Sequence, residues 1–364
     1  MDLDDSCLTG AERAGLALRA LYRGYGYRQY RMNKFEEYDL YARNRDVLAG
    51  ERVLSFTGPD GRLLALKPDV TLSIVRNTRD CPGGVRKLWY SEKVYRAPAR
   101  GGPFRELSQV GLECLGAVDD CTLTEVLLLA CESLALLSPD WLLALSQPDL
   151  TAALLDEAGL APEARSEAMD CLSRRSAHGL RQVCEKAGAD SAGLLTLLES
   201  VGPPAEVLPK LRGLDRGGEA LAGLERLLSA LERLGLGERL LVDFSAAGEL
   251  DYYNGLVFRG YVGGVPAPVL SGGRYDRLPA RLGRSDRAVG FAVSLDLVER
   301  LWETPEDSDA EVLLRYPAKA DPAAVCAAAR ARQAEGLRVC AQPAGPLEDL
   351  RFDREEWLEE VDEA

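Results

Sequence analysis

The chain has 364 residues, of which 46% are hydrophobic and 28% charged. That length accommodates two or three domains with buried cores, and the balance excludes disordered, fibrous and membrane-spanning classes. Forty-four Lys and Arg against 58 Asp and Glu leave a formal net charge of -14, the wrong sign for a protein whose main task is gripping a phosphate backbone.

The first ten residues, MDLDDSCLTG, are acidic where a secretion signal is basic and then apolar, so the cytoplasm is the expected compartment. Gly10 to Gly26 carries Leu16, Leu18, Leu21 and Tyr22 at helical spacing and closes on a glycine, which predicts an amphipathic helix. Pro59, Asp60 and Gly61 then separate Val53–Thr57 from Leu63–Leu66 as a hairpin turn would. Residues 87–97 and 104–116 read as two further strands around a polar loop from Pro98 to Pro103, making the first third a mostly antiparallel sheet.

From Thr122 the pattern becomes helical, opened by an expected capping box in which Thr122 caps and Glu125 reaches back. Leu221, Leu224, Leu227, Leu228, Leu231 and Leu234 form an apolar stripe of a packing helix. The richest apolar run, Val126 to Leu137, is broken by Glu132 and Ser133 and falls short of the about 18 residues of a membrane span. Strand character returns at Leu240 to Phe244 and through residues 251–262, where Asn254-Gly255 predicts a two-residue hairpin turn.

After Arg300 a polar linker leads to a strand (Val312 to Tyr316), a helix capped by Asp321 with Pro322 first and Gly336 as its stop, and a strand from Leu337 to Ala341. The acidic remainder, EDLRFDREEWLEEVDEA, reads as a short amphipathic helix or a partly disordered tail.

The only histidine, His178, leaves no imidazole set for a zinc site or a His-based triad, and its charged surroundings predict a surface position. Nine cysteines occur without C-x-x-C pairs, as in a reduced cytosolic protein, and neither metal nor cofactor is expected. P-loop and Rossmann fingerprints are absent. Four clusters carry the chemistry instead: Lys67-Pro68-Asp69-Val70-Thr71, Tyr95-Arg96 with Gln109-Val110-Gly111-Leu112-Glu113, Asp251-Tyr252-Tyr253-Asn254-Gly255, and Gly272-Gly273-Arg274-Tyr275-Asp276. Each alone suits an ordinary strand or bend. Together they offer carboxylates for an ammonium group, an arginine for a carboxylate, and tyrosines with a face and a hydroxyl, a set suited to a small zwitterion.

The order and wording of LKPDVT, YR with FRELSQVGLECLG, LDYYNGLVF, SGGRYDRL and VGFAVSLDLV resemble the histidyl-tRNA synthetase core and its non-synthetase relative, the regulatory subunit of ATP phosphoribosyltransferase. The resemblance covers roughly residues 10 to 300. It implies an α+β class II aminoacyl-tRNA synthetase-like fold: an antiparallel sheet flanked by helices over 1–303, a helical insertion at about 120–238, and a truncated α/β module at 310–364.

It further implies that Asp69, Thr71 and Gln109 hold the ammonium group of histidine, Arg96 its carboxylate, and Glu113 with Tyr253 its imidazole, with Tyr252 and Tyr275 completing the walls. Gln109 and Glu113 are four apart on a strand and face one side. Asp69 stands where the synthetase pattern has a longer glutamate.

Three departures separate the two relatives. Gly248-Glu249 occupy the place of an arginine that acts on the activated carboxylate, and Leu297 occupies that of the arginine clamping the ATP phosphates. Ala97-Pro98-Ala99 lack the acidic residue expected after Arg96. Without the clamp, phosphate-leaving chemistry loses its electrostatic stabilisation, and the acidic C-terminal stretch would repel tRNA. The resemblance thus implies a non-catalytic regulatory subunit, a homodimer joined to the short-form catalytic subunit, that senses histidine in the first step of histidine biosynthesis. An atypical histidyl-tRNA synthetase or histidine-activating relative is the competing expectation, and a scaffold without a small ligand a third.

Overall fold

The computed structural model describes residues 8–44, 52–97, 102–214, 218–245, 253–302, 308–347 and 349–358. They fall into two compact units, Met1–Trp302 and Glu303–Ala364. The first unit opens with α1 (Gly10–Gly24), β1 (Arg28–Gln29), β2 (Phe35–Glu37), α2 (Tyr38–Ala42), β3 (Arg52–Val53), β4 (Ser55–Thr57), β5 (Leu63–Leu66) and α3 (Thr71–Asn77). The long strands β6 (Val85–Ala97) and β7 (Arg105–Gly116) follow, then α4 (Asp120–Leu137) and β8 (Trp141–Ser146). A run of helices comes next: α5 (Pro148–Glu157), α6 (Pro162–Ser173), α7 (Ala177–Ala187), α8 (Ala192–Glu199), α9 (Pro204–Arg212) and α10 (Glu219–Arg233). The unit closes with β9 (Leu240–Val242), β10 (Val257–Val262), β11 (Leu270–Arg274), α11 (Arg277–Arg281), β12 (Arg287–Ser294) and α12 (Leu295–Val298).

The main sheet has nine strands in the order β1-β6-β7-β12-β11-β10-β8-β9, with β3 also on β6. Its central pairs are antiparallel, and only β1 with β6 and β8 with β9 run parallel. Side chains alternate across it. One face presents Trp89, Leu112, Val289 and Phe291 to Leu18 and Tyr22 of α1 and to Leu127 and Leu134 of α4, in one continuous buried cluster. The opposite face presents Leu88, Tyr90, Leu115 and Tyr275 to Leu72, Ile74 and Val75 of α3.

Several sequence expectations shift. The expected strand Val53–Thr57 divides: Val53 pairs with Arg96 in the main sheet, whereas Ser55–Thr57 joins β5 and β2 in a separate three-stranded sheet. The stretch expected to be helical over about 120–238 is interrupted by β8, which pairs with β10. Asn254-Gly255 does not join two strands, because both edges of β10 are occupied by β8 and β11. That turn leads into β10, with Gly255 at φ +85 and the Asn254 N–H donating to the Arg274 carbonyl at 2.8 Å.

In the helical region, Leu221 to Leu231 of the stripe are buried, but Leu234 lies past the end of α10 and is 52% exposed. His178 is exposed in the first turn of α7. Among the described residues no helix is long and apolar enough to cross a membrane.

The cap of α4 is also not the expected box. Asp119 caps it, accepting from the Thr122 N–H and hydroxyl, both at 2.9 Å. Glu125 pairs instead with Lys87 at 2.6 Å and accepts from the Tyr27 hydroxyl at 3.0 Å. A real capping box sits at α1, where Thr9 and Glu12 bond reciprocally.

The second unit holds β13 (Ala310–Tyr316), α13 (Pro322–Ala334), β14 (Val339–Pro343) and β15 (Phe352–Trp357), a parallel sheet in the order β14-β13-β15. Asp321 caps α13 as expected, accepting from the N–H groups of Ala323 and Ala324. Phe352–Trp357 of the acidic stretch form a strand, where a helix or a partly disordered tail was expected. Its carboxylates meet arginines, Glu355 with Arg315 at 3.5 Å and Glu356 with Arg332 at 2.6 Å.

The cap assignment is testable by urea denaturation. Asp119→Ala is expected to lower stability by about 1 kcal/mol, whereas Thr122→Ser, which keeps both donors to Asp119, leaves the midpoint nearly unchanged.

Candidate functional site

The α3 face of the sheet gathers most of the expected residues around Glu113. Glu113 stands in register with Leu88 on one side and Gly290 on the other, and is 2% exposed. Its Oε1 accepts from the Thr71 hydroxyl at 2.7 Å and its Oε2 from the Tyr275 hydroxyl at 2.5 Å. Burial drives its pKa from the ordinary 4.5 up to about 8 and nearby Asp69 adds to the rise, against the two hydroxyl donors. The group is therefore a neutral carboxylic acid at pH 7.

Glycines make the floor. A Cβ on Gly290 would stand 1.8 Å from the Glu113 Oε2, one on Gly111 would meet the Tyr90 ring at 2.6 Å, and one on Gly273 the Tyr253 ring at 2.5 Å. The three side chains thus lie flat across neighbouring strands. Tyr90 is buried beside them, its hydroxyl pushed well above the ordinary phenol range by burial and then by Glu113.

Asp69 lies just before α3 and accepts from the Leu72 N–H at 2.7 Å, so it tethers the start of that helix. Gln109 shares the face with Glu113, four positions away, or about 13 Å along β7. It faces a cleft of about 960 Å³ that is also lined by Lys67 and Glu92. Arg96 is eight positions along β6 from Leu88, about 26 Å of strand, so the structure does not bring it beside Glu113. Tyr252 lies outside the described residues, as do Gly248, Glu249 and Asp251.

One residue, Glu92, escaped the sequence reading. Glu92 is the register partner of Gln109, and it accepts from the Met32 N–H at 3.1 Å and pairs with Lys67 at 2.5 Å. Alternation along β6 places Glu92 on the face of Tyr90 and Arg96, which is the pattern that could have found it. A second groove of about 1000 Å³, between α4 and α10, contains none of the expected residues.

Leu297, in the position that resembles the synthetase phosphate clamp, packs partly buried on the apolar cluster of the α1 face. Its neighbour Asp296 accepts from the Ser108 N–H at 2.7 Å. Neither supplies a cation for a phosphate.

A family profile described as Histidyl-tRNA synthetase matches residues 2–298. The ATP phosphoribosyltransferase regulatory subunit of Symbiobacterium thermophilum is 31% identical over 341 residues, which is 90% of this chain and 85% of that protein. The chain belongs to this histidyl-tRNA synthetase-like family of ATP phosphoribosyltransferase regulatory subunits. As a member it is a regulatory rather than a catalytic subunit.

The same fold is found in an ATP phosphoribosyltransferase regulatory subunit/histidyl-tRNA synthetase from Bacillus halodurans, with a TM-score of 0.77 at 23% identity, covering 95% of this chain and 93% of that one. It recurs in the ATP phosphoribosyl transferase (HisG:HisZ) complex from Thermotoga maritima, with a TM-score of 0.64 at 18% identity over 81% and 98%. The class II-like fold expected from the sequence is therefore the one observed.

The neutral Glu113 has a measurable signature. Between pH 4.5 and about 8 the unfolded chain ionises this carboxyl while the folded chain keeps its proton, so the regulatory subunit loses stability as pH rises through that window. Glu113→Gln removes the proton and with it the pH dependence, leaving only a constant offset. The melting temperature of the variant minus that of the wild type is expected to grow from pH 5 to 8 and then level off, and a flat difference would show an ordinary, ionised carboxylate.

Proposed function

We propose that this regulatory subunit binds free histidine on the α3 face of its sheet and thereby lowers the activity of a short-form ATP phosphoribosyltransferase catalytic subunit, at the first step of histidine biosynthesis. The observation that carries the reading is a buried, hydrogen-bonded carboxyl on this face together with an apolar leucine where the resemblance puts a phosphate clamp. Thr71, Glu113 and Tyr275 form one hydrogen-bonded group on a glycine floor, with Gln109 on the same face, while Leu297 is apolar and packed.

Gln109 and Glu113 share one face of β7, and in this reading the ammonium end of histidine lies toward Gln109 and the imidazole over Glu113. Asp69 borders the ammonium end and Tyr253 the ring, while Thr71, expected at the ammonium group, instead donates to Glu113 and so lies at the imidazole end. Arg96, farther along β6, is in this reading a residue for the carboxylate only of a ligand that extends beyond Gln109. The core, 1–303, is proposed to dimerise and to recruit the catalytic subunit into a cytoplasmic hetero-oligomer, without tRNA, metal or cofactor, and 310–364 to form its second module.

Reconstitution tests the reading. With each subunit assayed alone, both together, and both with histidine, condensation of ATP with phosphoribosyl pyrophosphate is expected to need both chains and to slow with histidine. A catalytic subunit equally active without this chain, and indifferent to histidine, would favour the scaffold alternative. Histidine-dependent ATP–pyrophosphate exchange above a no-enzyme control would instead favour the synthetase alternative.

Calorimetry tests the pocket separately. Removing the hydrogen-bonding carboxyl in Glu113→Ala is expected to weaken histidine about tenfold or more. Equal affinity in a folded variant would move the site elsewhere.

A further inference from the structure

We propose that α3 is a relay that couples occupancy of the Glu113 site to the small three-stranded sheet of β2, β5 and β4. The inference rests on the histidine reading above and adds to it a physical connection. Both oxygens of Glu113 are engaged, by Thr71 and by Tyr275. A ligand that hydrogen-bonds this buried carboxyl competes with them for its oxygens.

Tyr275 is the fixed partner. It is 2% exposed, and its N–H donates to the Ala288 carbonyl at 2.8 Å. Thr71 is the half-buried first residue of a seven-residue helix, too short to hold itself without tertiary contacts. Asp69, assigned to the ammonium group, bonds the Leu72 N–H of the same helix. Ligand contacts at Asp69 and Thr71 therefore both pull on the start of α3.

The rest of α3 is bonded to β2. The Ser73 hydroxyl donates to Glu36 Oε1 at 2.6 Å, and Asn77 Nδ2 reaches the same oxygen at 3.4 Å. Arg76 pairs with Glu37 at 3.1 Å. Glu36 is further held by the Tyr41 hydroxyl at 2.5 Å, and Ser73 by Tyr30 at 3.0 Å. Through β2 these bonds continue into β5 by the pairs Glu36 with Ala65 and Glu37 with Leu64.

Leu72, Ile74 and Val75, all 0% exposed, pack one side of α3 into the core, which favours a small rigid shift of the helix over its unravelling. The small sheet carries the exposed Phe35, in edge contact with Phe56 at 5.3 Å. A shift of α3 would thus be felt at a solvent-facing part of the molecule.

The test follows amide hydrogen exchange by mass spectrometry on the full chain with and without L-histidine, at a concentration that calorimetry shows to saturate. In the wild type, histidine is expected to change exchange in 35–37, 55–57 and 63–66 by about fivefold or more, as for coupled sites in general. In Glu36→Ala combined with Arg76→Ala, and in Ser73→Ala combined with Arg76→Ala, which cut the bonds from α3 to β2 without touching the ligand site, that response is expected to disappear. Histidine should bind these variants no more weakly than the wild type, because the restraint on α3 is relieved.

Two results overturn the relay while leaving the pocket standing. One is bound histidine with no wild-type response, as when Thr71 merely turns about its own side-chain bond. The other is an equal response in both variants. Absence of histidine binding to the wild type in calorimetry removes the pocket and the relay together.

Discussion

A carboxyl group 2% exposed at the centre of a sheet imposes conditions on everything near it. It cannot stay charged cheaply in that setting, so it keeps its proton, and it needs partners that can both donate and accept, as hydroxyls do. Thr71 and Tyr275 meet that need from α3 and from the end of β11. The strand beside it has to lack a side chain, and Gly290 follows from that. Gly111 beneath Tyr90 and Gly273 beneath Tyr253 are required in the same way by the two rings, so that the buried acid and its tyrosine neighbours together account for glycines on β12, β7 and β11.

Charge pairs divide by burial. Lys67 and Glu92 are 6% and 14% exposed at the side chain, so truncating either would strand its partner and cost about 3–5 kcal/mol. Lys93 and Glu106, one strand pair away, are 59% and 43% exposed, and solvent screening leaves that contact with little weight. The buried pair lies in the cleft next to Gln109, which gives that face of the sheet a fixed border.

The misplaced elements share a cause. Thr122-x-x-Glu125 and Thr9-x-x-Glu12 have the same spelling, but only the second is a capping box, because Asp119 starts α4 before Thr122 can. Asn254-Gly255 has the residues of a hairpin turn, yet β10 has no free edge to accept the strand such a turn would return. The tail read as helix or loop because of its charge. As a strand it matches Glu355 and Glu356 to Arg315 and Arg332, which are 40 and 24 residues earlier in the chain.

Much was legible without coordinates: the long strands β6 and β7 from their alternation, the apolar face of α10 from its leucine spacing, the cap of α13 from Asp321-Pro322, and the family from motifs in the same order. The placement of Gln109 and Glu113 on one face also followed, since strand periodicity is a local property. Other features depended on contacts between distant segments. Which oxygen of Glu113 meets Thr71, the pairing of Lys67 with Glu92, the distance of Arg96 from Glu113 and the bonds from α3 to β2 arise only when strands far apart in sequence are brought into register. Residue types and local spacing declare what chemistry a chain carries, but the state of a buried group is decided by burial and by its partners, which only the assembled sheet supplies.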